Sequence, residues 1–163
     1  MHRAKRERVI TGTGGKDKAI ALGIVERGGK VRTFHVHNRR RHALQSRVRQ
    51  HVKAGSALFS DELKSYDGLE SDYQRAVINH AVEYARGNVH TNTMENFWSL
   101  VKRQLHGTYI SVEPFHLFRY LDEQSFRYNG RKLTDAERFA FVCRHVAGRR
   151  LTWNKLTGKE ATV

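Results

Sequence analysis

Two charged side chains in the middle of the chain fall at a spacing suited to chemistry on a phosphate. In His90-Thr91-Asn92-Thr93-Met94-Glu95-Asn96-Phe97-Trp98-Ser99-Leu100-Val101-Lys102, Glu95 and Lys102 are seven residues apart. Seven residues is two helical turns, so both project from nearly the same side, roughly 10 Å apart along the axis. A carboxylate held there suits a metal-bound phosphate, and the ammonium suits the strand attached to it. The stretch reads as a helix because Met94, Phe97, Trp98, Val101 and Leu105 recur at three-and-four spacing. Asn92 with Glu95 has the shape of a capping box, which predicts that the helix starts at Asn92. A Glu at the third helical position also serves merely to satisfy backbone N–H groups, and a surface Lys merely to stay solvated, so the rest of the chain must decide.

A second carboxylate is delivered differently. Ser56-Ala57-Leu58-Phe59-Ser60 reads as a short apolar strand with Asp61 and Glu62 at its C-terminal end, and functional groups of open α/β sheets gather where strands end. Other reactive types carry less. His35 and His37 alternate, and His80, His90 and His106 lie near the central segment, but no HExxH or close Cys/His spacing makes them a metal site. Cys143, the single cysteine, sits among Phe139, Phe141, Val142 and Val146 and is expected to be a small buried hydrophobe. One cysteine builds neither a disulfide framework nor a thiolate zinc cluster. Gly12-Thr13-Gly14-Gly15-Lys16 lacks the spacing of a phosphate loop and reads as a turn between strands.

The 163 residues suffice for one domain with a core. Lys and Arg total 30 against 16 Asp and Glu, a net charge of +14, which favours a polyanionic partner, nucleic acid above all. No run of eighteen apolar residues and no secretion signal is present, so no membrane is expected and the cytoplasm is the expected compartment.

The positioning elements follow from the pattern. Residues 1–8 form a basic tail. Ala19–Glu26 reads as a well-buried strand, turned at Gly28-Gly29 into a second strand over Val31–Val36, a hairpin. Arg39-Arg40-Arg41 leads into a helix with Leu44, Val48 and Val52 on one stripe and Arg47, Arg49 and Lys53 off it, and Gly55 ends it. Asp67 to Tyr84 reads as a loop and a helix with Tyr73, Val77 and Ala81 inward. A helix from about Pro114 to Tyr128 takes Phe115, Leu117, Phe118 and Leu121 as its apolar side, with proline in the first turn where no N–H is needed. Asp135 to Val146 is a last helix, and Leu151–Gly158 a polar tail with Trp153 and Leu156 as anchors.

Taken in order, these pieces form a series. Gly12-Thr13-Gly14-Gly15-Lys16-Asp17-Lys18, Asp61, the stretch HTNTxExFWSxxK from His90 to Lys102, Gly107-Thr108-Tyr109, His116-Leu117-x-x-Tyr120-Leu121-x-Glu123 and Phe126-Arg127-Tyr128-Asn129 resemble the catalytic domain of bacterial insertion-sequence transposases of the DDE class. The likeness runs from about Arg8 to Gly158, within a domain taken as residues 9–158 and followed by a tail over 159–163. It implies an α/β fold, a ribonuclease-H-like mixed sheet flanked by helices. It also implies a two-metal phosphoryl-transfer site in which acidic residues hold Mg²⁺ or Mn²⁺. Asp61 matches the second acidic position and Glu95 the third. Lys102, with Arg103 and Arg127, would bind DNA. The implied partners are transposon ends and target DNA, and a second subunit, either another copy or a full-length transposase. The first acidic position has no match: none of the eleven residues before Gly12 is Asp, and Asp17 lies on the wrong side of the turn. The resemblance thus implies a domain missing its first strand and impaired alone. The other expectation is a non-catalytic remnant that binds DNA or transposase subunits and modulates transposition.

Overall fold

The computed structural model describes residues 18–78, 91–109 and 112–159. The expected hairpin is present, with β1 (Ile20–Val25) antiparallel to β2 (Val31–Val36) in the register Ile20↔Val36 to Val25↔Val31. Its turn is closed by Glu26 N–H to Lys30 O at 3.0 Å and Gly29 N–H to Glu26 O at 2.9 Å. Gly28 takes φ +69° there, a conformation that favours glycine. Side chains alternate across a strand, and this hairpin uses both faces. Leu22 and Val36, with Ile20 and Phe34, pack against Leu44 of α1 (Arg41–His51). Val31, with Ala21 and Val25, packs on the opposite side against Phe97 and Val101 of α2 (Asn92–Gly107) and Leu121 of α3 (Leu117–Asn129). Of β1, only Leu22 is buried and its neighbours are half-buried, so the strand is less enclosed than its composition predicts.

Asn129 fastens the end of α3 to β2 through both ends of its amide. Its Oδ1 accepts from Val31 N–H at 2.7 Å and its Nδ2 donates to Val31 O at 2.9 Å.

A second pair, β3 (Ala57–Ser60) and β4 (Gln74–Val77), is parallel, in the register Ala57↔Gln74 to Ser60↔Val77. Leu58 and Tyr73 join Val48 and Leu69 in a third apolar cluster, which Ile24 of β1 also reaches. The architecture is mixed α/β. Among the described residues the antiparallel and parallel ladders form separate two-stranded sheets, not one mixed sheet.

Several expectations are corrected. Where a helix was expected within Asp67–Tyr84, a 3₁₀ turn (Leu69–Ser71) and β4 stand. Tyr73 and Val77 are four apart, a spacing that fits one helical face and equally one face of a strand; Tyr73 is buried and Val77 exposed, and Ala81 lies outside the described residues. The helix expected from Pro114 opens as one 3₁₀ turn, Pro114–His116, before α3. Leu121 is buried, but Phe115 and Phe118 are exposed. Cys143 is exposed as well, because its helix, α4 (Asp135–Val146), has no buried residue. Trp153 and Leu156, on α5 (Trp153–Thr157), are also exposed. The glycine-rich turn at Gly12–Lys16, Asp17, His80 and His90 lie outside the described residues.

Candidate functional site

Helix α2 is held to the hairpin by its apolar stripe. Phe97 is fully buried and Val101 nearly so, with Met94, Trp98 and Leu105 packed around them. The approach to β1 is close at Gly23, where a Cβ would collide with Met94 Cε and come within 2.7 Å of the Trp98 ring. Any larger residue there would force the Met94 and Trp98 side chains to shift. Phe97 is also gripped edge-on by Trp98 and Tyr128, each with ring centroids 5.4 Å away.

With that face fixed, Glu95 and Lys102 come to the helix edge, about 20° apart in projection, and both are exposed. The helix starts at Asn92, but its cap is Thr91, and the expected Asn92–Glu95 capping box is not what engages the carboxylate. Glu95 Oε1 instead accepts from Thr91 Oγ1 at 2.6 Å. A negative charge in a first helical turn is favoured by the helix dipole.

Asp61 stands at the C-terminal end of β3, exposed. Its Oδ1 accepts from Leu63 N–H at 3.3 Å, a local turn that fixes the side chain against its own loop. Behind it lies a polar network that the sequence reading did not find. Arg75 of β4, whose side chain is 3% exposed, donates from Nε to Ser60 Oγ at 3.1 Å and from Nη1 to Asp67 at 3.1 Å, and it also pairs with Glu70. One guanidinium thus ties β4, the turn after β3 and the residue preceding Asp61. Glu70 is held below the usual carboxylate range by the N–H of its own residue, then by Arg75 and by Gly68 N–H. The Tyr66 hydroxyl is pushed up to about 12 by burial and then by the charge of Asp61, which Arg75 partly offsets. No spacing rule pairs a turn carboxylate with an arginine on the next strand, so this network had no signal in the sequence.

The basic candidates divide. Lys102 and Arg103 are exposed on the outer side of α2. Arg127, its side chain 63% exposed, pairs with Glu123, with Nη2 to Oε1 at 2.9 Å and Nε to Oε1 at 3.0 Å. The other oxygen of Glu123 takes the Tyr109 hydroxyl at 2.5 Å. Arg127 therefore helps to brace the end of α2 against α3. Of the off-stripe residues of α1, Arg49 pairs with Asp72 at 2.7 Å.

Asp61 and Glu95 are thus presented on two different mounts, one at a strand end and one in a first helical turn. Both supply carboxylate oxygens at the surface, the donor type a hard divalent cation takes. Among the described residues, no group of three His, Cys, Asp or Glu side chains is placed to hold a metal ion. The donor set therefore suits a divalent cation in kind but falls short of a three-ligand site. No helix among the described residues is long and apolar enough to cross a membrane.

Comparison with known proteins gives the family. The family model described as ISXO2-like transposase domain matches residues 1–129. An uncharacterised transposase-like protein of Haemophilus influenzae is 31% identical over 105 residues, which is 64% of this chain and 85% of that protein. No solved structure matches the chain.

Proposed function

The chain belongs to the family of ISXO2-like transposase domains, and from that premise we propose that it works on DNA by metal-assisted phosphoryl transfer, cutting and joining strands at the ends of an insertion sequence. On this reading the fold is ribonuclease-H-like, Asp61 and Glu95 hold Mg²⁺ or Mn²⁺, and Lys102, Arg103 and Arg127 bind the DNA backbone. The observation that carries it is the mounting of Glu95. The helix is pressed onto β1 by Met94, Phe97 and Trp98, and that packing leaves Glu95 and Lys102 together on one solvent-facing edge. A bound divalent cation would supply Lewis-acid activation of the attacking hydroxyl and would neutralise charge on the phosphate. The chain's own residues do the rest. Asp61 and Glu95 present oxygen donors from rigid elements, and Lys102 and Arg103 position the strand by charge and release its counterions.

A second reading is favoured by one observation, the lack of a three-ligand group among the described residues. In it the chain binds DNA or transposase subunits without cutting, and modulates transposition. Nicking of supercoiled DNA separates the two. Purified protein, with only two of the acidic ligands matched, is expected to nick slowly with Mg²⁺ or Mn²⁺, and Glu95→Gln to abolish that nicking while leaving DNA binding intact. Binding with no metal-dependent nicking would support the second reading and end the first.

A further inference from the structure

Tyr66 is held from several sides, yet its hydroxyl has no partner. The residue closes a 3₁₀ turn, Lys64–Tyr66, that follows Asp61. Its N–H donates to Leu63 O at 2.9 Å, and Leu63 N–H in turn donates to Asp61 Oδ1, so the turn hangs from the carboxylate. Gln45 of α1, 4% exposed, clamps the two carbonyls that flank Tyr66. Its Nε2 donates to Ser65 O at 3.0 Å and to Asp67 O at 2.8 Å. Ser65 Oγ donates to Arg39 O, a further tie to the start of α1. The Tyr66 ring wedges between two apolar clusters, one around Leu22, Val36 and Leu44 and the other around Val48, Leu69 and Tyr73. Backbone clamp and ring packing together fix where the phenol points.

The hydroxyl lies where the charges of Asp61 and Arg75 both act on it, but among the described residues it makes no hydrogen bond. A largely buried tyrosine normally finds a partner for its O–H. Tyr73, in the neighbouring cluster, does so, donating to Val52 O at 3.1 Å. The segment after β3 is rich in acceptors, with Asp61, Glu62, Asp67 and Glu70, and Arg75 is engaged with Ser60, Asp67 and Glu70. We propose that the Tyr66 hydroxyl contacts the substrate, donating a hydrogen bond to a phosphate oxygen of the DNA strand drawn to Asp61. This role rests on the reading of Asp61 as a metal ligand. Burial and the charge of Asp61 keep the proton on the phenol up to about pH 12, so the group stays a donor throughout the working range. A neutral donor also suits its place, since it holds a phosphate oxygen without bringing another charge into a half-buried position.

Fluorescence anisotropy of a labelled mixed-sequence DNA duplex with the full 163-residue chain, in Ca²⁺ and in EDTA, tests it. Ca²⁺ takes the same oxygen ligands. It is expected to tighten binding by the parent chain, and Asp61→Asn to remove that gain. Tyr66→Phe keeps the ring and loses only the hydroxyl. It should weaken binding in Ca²⁺ by about tenfold, leave binding in EDTA unchanged, and keep the same salt slope because no charge is lost. Tyr73→Phe, whose hydroxyl serves the fold, should change neither. A parent chain whose DNA binding ignores Ca²⁺ would remove the role of Asp61 and the contact with it. A gain that Asp61→Asn loses but Tyr66→Phe keeps in full would overturn the contact alone. So would an equal loss in EDTA, or an equal loss in Tyr73→Phe. If Tyr66→Phe does not fold by circular dichroism, carbon-13 NMR of the parent decides: DNA with Ca²⁺ should shift the Tyr66 ζ-carbon signal, and an unmoved signal would end the proposal.

Discussion

The two proposed metal carboxylates are carried by mounts of opposite character. Glu95 stands on a helix fixed by hydrocarbon: Phe97 and Val101 buried, and Met94 and Trp98 pressed against a glycine in the facing strand. Asp61 stands at the end of a four-residue strand whose surroundings are fixed by charge, with Arg75 bound to Ser60, Asp67 and Glu70. Apolar packing is insensitive to pH and to moderate salt. A network of hydrogen-bonded ions keeps its strength only while its carboxylates are ionised. One half of the candidate site should therefore be robust across conditions and the other conditional on them.

The contrast is broken most forcefully at Phe97. Phe97→Ala empties a fully buried ring position between β1, α2 and α3 and is expected to cost about 3–5 kcal/mol. Urea unfolding should give nearly the same loss at pH 7 and at pH 4. Arg75→Ala should cost less, about 1–3 kcal/mol, since it leaves Ser60 and two half-exposed carboxylates without their donor. Its penalty should depend on pH. Glu70 has a folded-state pKa below its ordinary value, so its contribution is present above the ordinary carboxylate range and fades as pH falls through the depressed value. The gap between Arg75→Ala and the parent chain should accordingly narrow in acid. Equal pH dependence for the two variants would erase the distinction between the mounts.

The same contrast explains what could be read from the sequence. The α2 mount was legible because hydrophobic periodicity reports helix faces directly: Met94, Phe97, Trp98 and Val101 named the packed side, and Glu95 and Lys102 fell to the edge by subtraction. The hairpin was legible from two apolar runs around Gly28-Gly29. The β4 strand was not, since the four-residue interval from Tyr73 to Val77 satisfies both periods. Arg75 was hidden for a different reason: an arginine's partners depend on how a turn and the next strand meet in space. At α4 the pattern correctly gave a helix over Asp135–Val146. Periodicity names an apolar side but not what covers it, and Cys143 was therefore placed in a core that this chain does not form around it.

The finest test of the polar mount uses Tyr66 as a reporter of Asp61. Burial is the larger cause of its raised pKa and the charge of Asp61 the second, bringing it to about 12. A tyrosine whose folded pKa lies above the unfolded value of about 10 contributes stability that is whole below pH about 10 and is lost as pH rises through the folded value. Carbon-13 NMR of the tyrosine ζ carbons should show Tyr66 titrating near 12 in the parent chain. In Asp61→Asn the midpoint should fall, but stop short of 10, because burial remains. Phe97→Ala, if folded, should leave it where it was, since that ring belongs to the other mount. A midpoint that ignores Asp61 would detach the carboxylate from Tyr66. Asp61 would then stand on its Leu63 turn and the Arg75 network alone.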